Sequence, residues 1–235
     1  MSPRYQTLQL STWPVGIPQS SLDSAGMYYV QSMLVSDTAE KIKKMEIRGA
    51  GRIARAAVAA LKAHSEIAPS RDLSEYRKEM VTAADLLIAT RPTAVSLPNA
   101  VHLVMSSLTL DTPSVSSAKE EFSRACQDFI RSSENAIQRI GEVGARHIRD
   151  GDVILTHCNS EAALECLLTA HRKGVRFSVY ATEVRPGNQG LLTIGTLNRA
   201  GIPTTYIVDS AVRYFMKEID RVIVGADAVS VNGAV

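Results

Sequence analysis

Asp150-Gly151-Asp152-Val153-Ile154-Leu155-Thr156-His157-Cys158-Asn159-Ser160 is the stretch that decides the fold. Before it, apolar residues recur at helical spacing; after it, short apolar runs alternate with helical ones. Val153-Ile154-Leu155 reads as a buried strand and 161–172 as the helix that follows. The alternation continues with a strand over 177–181, a helix over 190–199, a strand over 204–208, a helix over 211–217 and a strand over 222–224. Strand–helix units of this length imply right-handed crossovers and a parallel sheet. The expected fold class is therefore α/β, with a Rossmann-like parallel-sheet catalytic domain over 150–235. Because the chain ends at Val235, just past a strand, and a parallel sheet requires cover on both faces, that domain reads as incomplete, truncated at the C-terminus.

On the N-terminal side the pattern is helical. Ser36 or Asp37 is placed to cap a helix ending near Ile47. Gly49-Ala50-Gly51 interrupts it, and Ile53, Ala57, Ala60 and Leu61 resume the spacing. A helix over 74–88 stops before Arg91-Pro92, since the residue before proline is steered from helical angles. The longest helix, over 117–149, offers Phe122, Phe129, Ile137, Ile140 and Ile148 to the core, with Gly141 and Gly144 as places to bend or split. These helices form an expected N-terminal domain over 38–149. Residues 1–37 read as a variable, partly disordered arm: 1–22 carry Pro3, Pro14, Pro18 and Trp13 without periodicity, and 27–35 suit a helix or a strand equally.

Composition narrows the function. The 235 residues include 26 basic and 24 acidic ones, a balance that argues against a nucleic-acid footprint, which needs a clustered basic face. Three cysteines, Cys126, Cys158 and Cys166, are an odd set without metal-ligand spacing and read as free thiols in a reducing compartment. No apolar run approaches the length of a membrane span, and Arg4 leads into polar, proline-broken sequence rather than a signal peptide. A cytoplasmic protein with no membrane and no nucleic-acid partner is expected.

Cys158 stands where a strand gives way to a helix, and amide dipoles there lower a thiol's pKa toward a reactive thiolate. The other reading is a buried, inert cysteine; position alone leaves both open. His157 tunes that thiolate or is structural. Asp227, just past Val222-Ile223-Val224-Gly225-Ala226, faces the crevice at the strand ends as a general acid, or else caps the next turn. Arg48-Gly49-Ala50-Gly51 joins a cation to glycines at a helix start, an arrangement suited to phosphate but also to a plain turn. Arg91 before Pro92 and Arg185 before Pro186 either clamp an anion or pair with a surface carboxylate.

Five motifs occur in order: 45–51 (Met-Glu-Ile-Arg-Gly-Ala-Gly), 90–99 (Thr-Arg-Pro-Thr-Ala-Val-Ser-Leu-Pro-Asn), Thr156-His157-Cys158, Arg185-Pro186 with Gln189-Gly190, and Gly225-Ala226-Asp227 with Asn232-Gly233. Together they resemble the superfamily of ribose-1,5-bisphosphate isomerases, methylthioribose-1-phosphate isomerases and the regulatory subunits of the translation-initiation guanine-nucleotide exchange factor. The first two motifs look most like the archaeal ribose-1,5-bisphosphate isomerases. The resemblance implies Cys158 and Asp227 as the catalytic pair. It implies Arg48, Gly49, Ala50, Gly51 and Arg91 at the substrate phosphates, and Ser160, Glu161 and Ala162 lining the site. It further implies a phosphorylated ribose substrate from nucleoside and AMP breakdown, no metal or redox cofactor, and a homo-oligomer. A methylthioribose-1-phosphate isomerase and a non-catalytic exchange-factor subunit are the competing readings; such subunits lose the catalytic pair, and this chain keeps both members. Three departures stand out: Glu161 where the archaeal pattern has lysine, Val184 where threonine is usual, and no Asn-Lys pair after 232–235, whose lysine is a phosphate ligand in the family.

Overall fold

Where apolar runs of three or four residues alternate with amphipathic helices, the chain builds a parallel sheet. The structure, a computed structural model, describes residues 24–91, 95–108 and 112–234, with the backbone alone over 24–33. Strands β1 (Val153–Thr156), β2 (Ser178–Thr182), β3 (Thr204–Ile207) and β4 (Arg221–Ile223) lie in the order β3-β2-β1-β4, all parallel. Before them come α1 (Ser24–Lys43), α2 (Ala50–Ile67), α3 (Leu73–Ile88), α4 (Ser96–Met105) and α5 (Val115–Ala145). Between and after the strands come α6 (Glu161–Arg172), α7 (Gly190–Arg199) and, behind a 3-10 turn at Asp209–Ala211, the short α8 (Val212–Phe215). The Rossmann-like expectation therefore holds in the described residues. No helix among them is long and apolar enough to cross a membrane.

Two hydrophobic clusters form. One gathers α1 to α4 and the first half of α5, around Leu61, Tyr76, Met80, Leu97 and Phe122. The other joins the sheet to α6 and α7 through Ile154, Val179, Leu164, Leu167 and Leu197, and takes in Ala145 from the far end of α5 and Ile148 just past it. Thus α5 spans both. Its glycines do not split it: a side chain at Gly144 would strike Cys166, and one at Gly141 would meet Glu165 and Thr169, so both glycines let α6 come close. That close approach is their physical role. Ile140, expected in the core, is exposed, while Gly141 and Ala145 take the buried stripe.

Other expectations need correction. The helix thought to begin at Ser36 or Asp37 already runs from Ser24, and Asp37 pairs with Lys41 one turn on (2.6 Å) instead of capping. Residues 27–35 are thus helical, and the 37/38 boundary falls inside α1. Residues 1–23, with Trp13, lie outside the described residues. The helix α4 stands where the sequence pattern offered only the 90–99 motif. Proline is tolerated in a helix's first turn, and Leu97, Ala100, Val101 and Val104 show the buried i, i+3, i+4, i+7 stripe that marks it. The helix expected over 211–217 shortens to α8.

A polar clasp ties β4, the strand leading to Asp227, to the start of β1. Asp152 accepts from Arg221 Nε (2.6 Å) and from the Arg149 amide (2.8 Å), while Asp220 accepts from the Val153 amide (2.8 Å). Burial works against ionisation of Asp152, but the Arg149 amide and the Arg221 guanidinium outweigh it and hold the carboxyl below the usual carboxylate range. A depressed pKa contributes stability that is present above the unfolded value of about 3.9 and is lost as pH falls through the folded value. Asp152→Asn is therefore expected to cost about 1–3 kcal/mol at pH 7, with the gap to wild type closing in acid. Thermal melts of both proteins across pH check this. A gap unchanged into strong acid would show that the charge contributes nothing.

Candidate active site

The strand order places a switch point between β1 and β4, because the chain leaves β1 toward β2 on one side and returns as β4 on the other. A crevice opens at such a point beyond the carboxyl ends of the strands. Thr156 is in register with Ala181 on β2 and Ile223 on β4, and its hydroxyl donates to the Ile223 carbonyl (2.8 Å). His157 and Cys158 consequently emerge between Thr182-Glu183-Val184 on one side and the run from Val224 to Asp227 on the other.

Cys158 turns into the left-handed region (φ 66°). Its carbonyl accepts from the Thr193 hydroxyl at 2.7 Å, and its Sγ lies 3.8 Å from Gln189 Oε1. The thiol is half-buried, whereas Cys126 and Cys166 are buried. Burial pushes the Cys126 thiol up to about 12 and raises that of Cys166, so the inert-thiol description belongs to those two. His157 Nδ1 lies 2.6 Å from the Thr182 hydroxyl.

Ser160 caps α6, accepting from the Ala163 amide at 3.2 Å and leaving the Glu161 and Ala162 amides at an open helix start. Gly225 lies directly against it: any side chain there would run into Ser160 Oγ and Cβ. That contact brings the Gly225-Ala226-Asp227 segment to the head of α6. Asp227 is exposed, accepts no hydrogen bond from a described residue, and precedes no helix among them, so it is not a cap.

The third wall comes from α2. Gly49 (φ 89°) is its N-cap without a side-chain cap bond, which leaves the first amides of the helix facing outward. Arg48 donates to the Met45 carbonyl and reaches the Gly187 carbonyl at 3.4 Å, bridging the α2 turn to the β2–α7 loop. The Ser96 hydroxyl lies 3.4 Å from the Ala50 carbonyl, placing the start of α4 beside the same turn. Arg91 is half-buried and its side chain has no partner among the described residues; Pro92 to Ala94 lie outside them. Arg185 is paired with Glu183 at 2.7 Å, the carboxylate alternative considered for it.

The repulsion expected of Glu161 is answered by α2. Arg55 Nη2 holds both carboxylate oxygens at 2.9 and 3.0 Å and also donates from Nη1 to Ser133 at 3.1 Å, with Arg52 Nε at 3.7 Å from Glu161. The negative charge is thus spent on two arginines. Gly51 makes room for this cluster, since a side chain there would press on Arg55 and Glu161 at 3.2 and 3.4 Å.

Sequence reasoning gave no role to Asp209, Thr182, Gln189, Asn159 and Thr193. Asp209 follows β3 as Asp227 follows β4, so the strand-end rule would have found it. Its carboxylate accepts from the Val184 and Arg185 amides at 2.9 and 3.0 Å, and those amides, Arg185's first, hold it below the usual carboxylate range. Val184 (φ 63°) and Asn188 (φ 48°) share that loop, and with Met45 (φ 60°) and Cys158 they are the non-glycine left-handed residues described. Each such residue costs on the order of 1–3 kcal/mol, and strain of this kind gathers at functional sites. All four border the crevice or the turn joined to it.

Residues 46–235 match the model of the initiation factor 2 subunit family. The chain is similar to a ribose 1,5-bisphosphate isomerase of Methanocaldococcus jannaschii, at 52% identity over 85% of this chain and 63% of that protein. It thus spans less than two thirds of that relative's length. Among solved structures it resembles the translation initiation factor eIF-2B of Pyrococcus horikoshii (28% identity, TM-score 0.74, 85% of this chain and 68% of that one). It also resembles the 5-methylthioribose 1-phosphate isomerase of the same organism (27% identity, TM-score 0.73, 86% and 63%). With the family model covering most of its length and the Rossmann-like sheet in place, this chain belongs to the initiation factor 2 subunit family.

Proposed function

We propose that the chain carries the active site of a cytoplasmic, homo-oligomeric isomerase that converts ribose 1,5-bisphosphate to ribulose 1,5-bisphosphate in nucleoside-derived ribose metabolism. The observation that carries this reading is the 52% identity to the M. jannaschii protein of that name. A sugar 1-phosphate cannot open by itself, because its anomeric carbon is blocked. The enzyme must protonate the ring oxygen and move a proton from C2 to C1 through an enol that keeps its phosphate. In this proposal Asp227 donates the ring proton, the Cys158 thiolate takes the C2 proton and returns it to C1, and the Asp227 carboxylate recovers a proton from the C2 hydroxyl as the enol becomes the ketone. Arg48, the Gly49-Ala50-Gly51 turn and Arg91 hold the phosphates, while Ser160, Glu161 and Ala162 line the site from α6.

Support comes from the convergence of the α2 start, the α6 start and the β4 end on one crevice, and from the freedom of the Asp227 and Arg91 side chains among the described residues. The two hydrophobic clusters support a division into a helical part over 38–149 and a catalytic part over 150–235.

Product analysis tests the reading. Ribose 1,5-bisphosphate, methylthioribose 1-phosphate and ribose 5-phosphate are offered to the chain, alone and joined to the length of the M. jannaschii relative that it does not span. Ribulose 1,5-bisphosphate is the expected product. Turnover of methylthioribose 1-phosphate instead, or binding of protein partners with no turnover of any sugar, would overturn it.

A further inference from the structure

We propose that Arg55 is a positioning residue for substrate phosphate, acting through Glu161. It holds and neutralises the Glu161 carboxylate, so that a phosphate arriving at the starts of α2 and α6 meets no uncompensated negative charge. The inference rests on the isomerase reading for its ligand. Glu161 is the first residue of α6, directly after the cap Ser160. Its Oε2 is 3.4 Å from the place a Cβ on Gly51 would take, so the carboxylate stands against the Gly49-Ala50-Gly51 turn proposed to hold a phosphate. Left loose there, it would compete with the phosphate for the same open amides, because a helix start favours either anion.

Arg55 is mounted to prevent this. It follows Gly51 by one turn of α2, and the missing side chain of that glycine leaves the guanidinium its path, with Nη1 3.2 Å from where the Cβ would be. One end of the guanidinium is anchored to α5, where Nη1 donates to Ser133 Oγ at 3.1 Å. From the other end Nη2 donates to Glu161 Oε1 at 2.9 Å and to Oε2 at 3.0 Å, so neither oxygen is free of it. The Arg55 side chain is 15% exposed and that of Glu161 27%, and a partly buried pair is screened far less than one in open solvent. Arg52 is no substitute: its side chain is half exposed and its Nε stays 3.7 Å from Oε1. The pair also crosses between the two hydrophobic clusters, from α2 in the first to α6 in the second. It therefore fixes one helix start against the other while it removes the charge between them.

The test is a rescue. Binding of ribose 1,5-bisphosphate is measured by calorimetry, with KM and kcat where it is turned over, for wild type, Arg55→Met and the double variant Arg55→Met/Glu161→Gln. Both the 235-residue chain and the form joined to the remaining length of the M. jannaschii relative are used, and circular dichroism checks the fold of each protein. Arg55→Met should weaken binding roughly ten- to a hundred-fold, the worth of a like charge set beside a phosphate. KM should rise while kcat changes little, because the phosphate is held alike before and during the proton transfers. The double variant has the net charge of wild type and should regain most of the loss. A single variant that binds as wild type does overturns the proposal. So does a double variant no tighter than the single, since Arg55 would then touch the phosphate itself or be merely structural. Where the single variant does not fold, a folded double variant that binds about a hundred-fold more weakly than wild type overturns it as well. Wild type that binds the bisphosphate without converting it, with the affinities in the expected order, sinks the isomerase reading and leaves this inference standing. Ribulose 1,5-bisphosphate formed with equal KM by all three proteins does the reverse, and wild type that binds no ribose 1,5-bisphosphate in either form overturns both.

Discussion

Cys158→Ser is expected to lower turnover of ribose 1,5-bisphosphate by roughly a hundred- to ten-thousand-fold, the range for removing a general base, while leaving ligand affinity within a few-fold. A hydroxyl fills the space of the thiol and keeps the main-chain bond to Thr193, which does not involve the side chain of residue 158. It remains protonated at neutral pH, so the C2 proton has nowhere to go. Asp227→Asn should fall as far for the complementary reason: an amide keeps the shape but does not donate the ring proton. Steady-state rates beside calorimetric titration of the ligand separate the two quantities. A Cys158→Ser protein that keeps a tenth of the wild-type rate would remove Cys158 from the chemistry. An Asp227→Asn protein with undiminished rate would make Asp227 structural.

The second large effect belongs to a residue with no functional group. A Cβ at Gly190 would collide with the Thr182 carbonyl oxygen, come to 2.9 Å from the Thr182 carbonyl carbon, and lie 3.1 Å from the Glu183 carbonyl oxygen. These are backbone atoms of β2 and its end, so no rotamer change relieves the contact. Gly190→Ala must push α7 off the sheet and carry Gln189 and Thr193 with it. Overpacking of this kind costs about 1–3 kcal/mol or more. We expect a lowered Tm together with a loss of selective Cys158 alkylation, since the cysteine loses both of its α7 contacts. A Gly190→Ala chain with wild-type Tm and wild-type Cys158 alkylation would show that α7 is not seated as described.

The sequence by itself determined the α/β alternation, because helical and strand periods are local properties of 5 to 15 residues, written in the order of apolar side chains. It also determined which side chains stand at strand ends, so Cys158 and Asp227 were legible as candidates, and the family motifs named Arg48, Arg91 and the α6 start. Local pattern failed where a residue's role is set by what lies across a contact. Gly141 and Gly144 read as helix breakers, yet they are the flat side of a helix pressed on Glu165, Cys166 and Thr169. Glu161 read as a charge facing a phosphate, yet it is clamped by Arg55, 106 residues earlier. The 90–99 motif carried no helix in the sequence pattern, yet Pro98 sits in the first turn of one whose stripe is buried by α2 and α5. Tertiary structure alone decided the strand order that puts β4 beside β1 and thereby opens the crevice between Cys158 and the β4 end. It alone delivered Gln189, Thr193 and Asp209 to that crevice. Periodicity records which face of an element is apolar; only packing settles which other element meets that face.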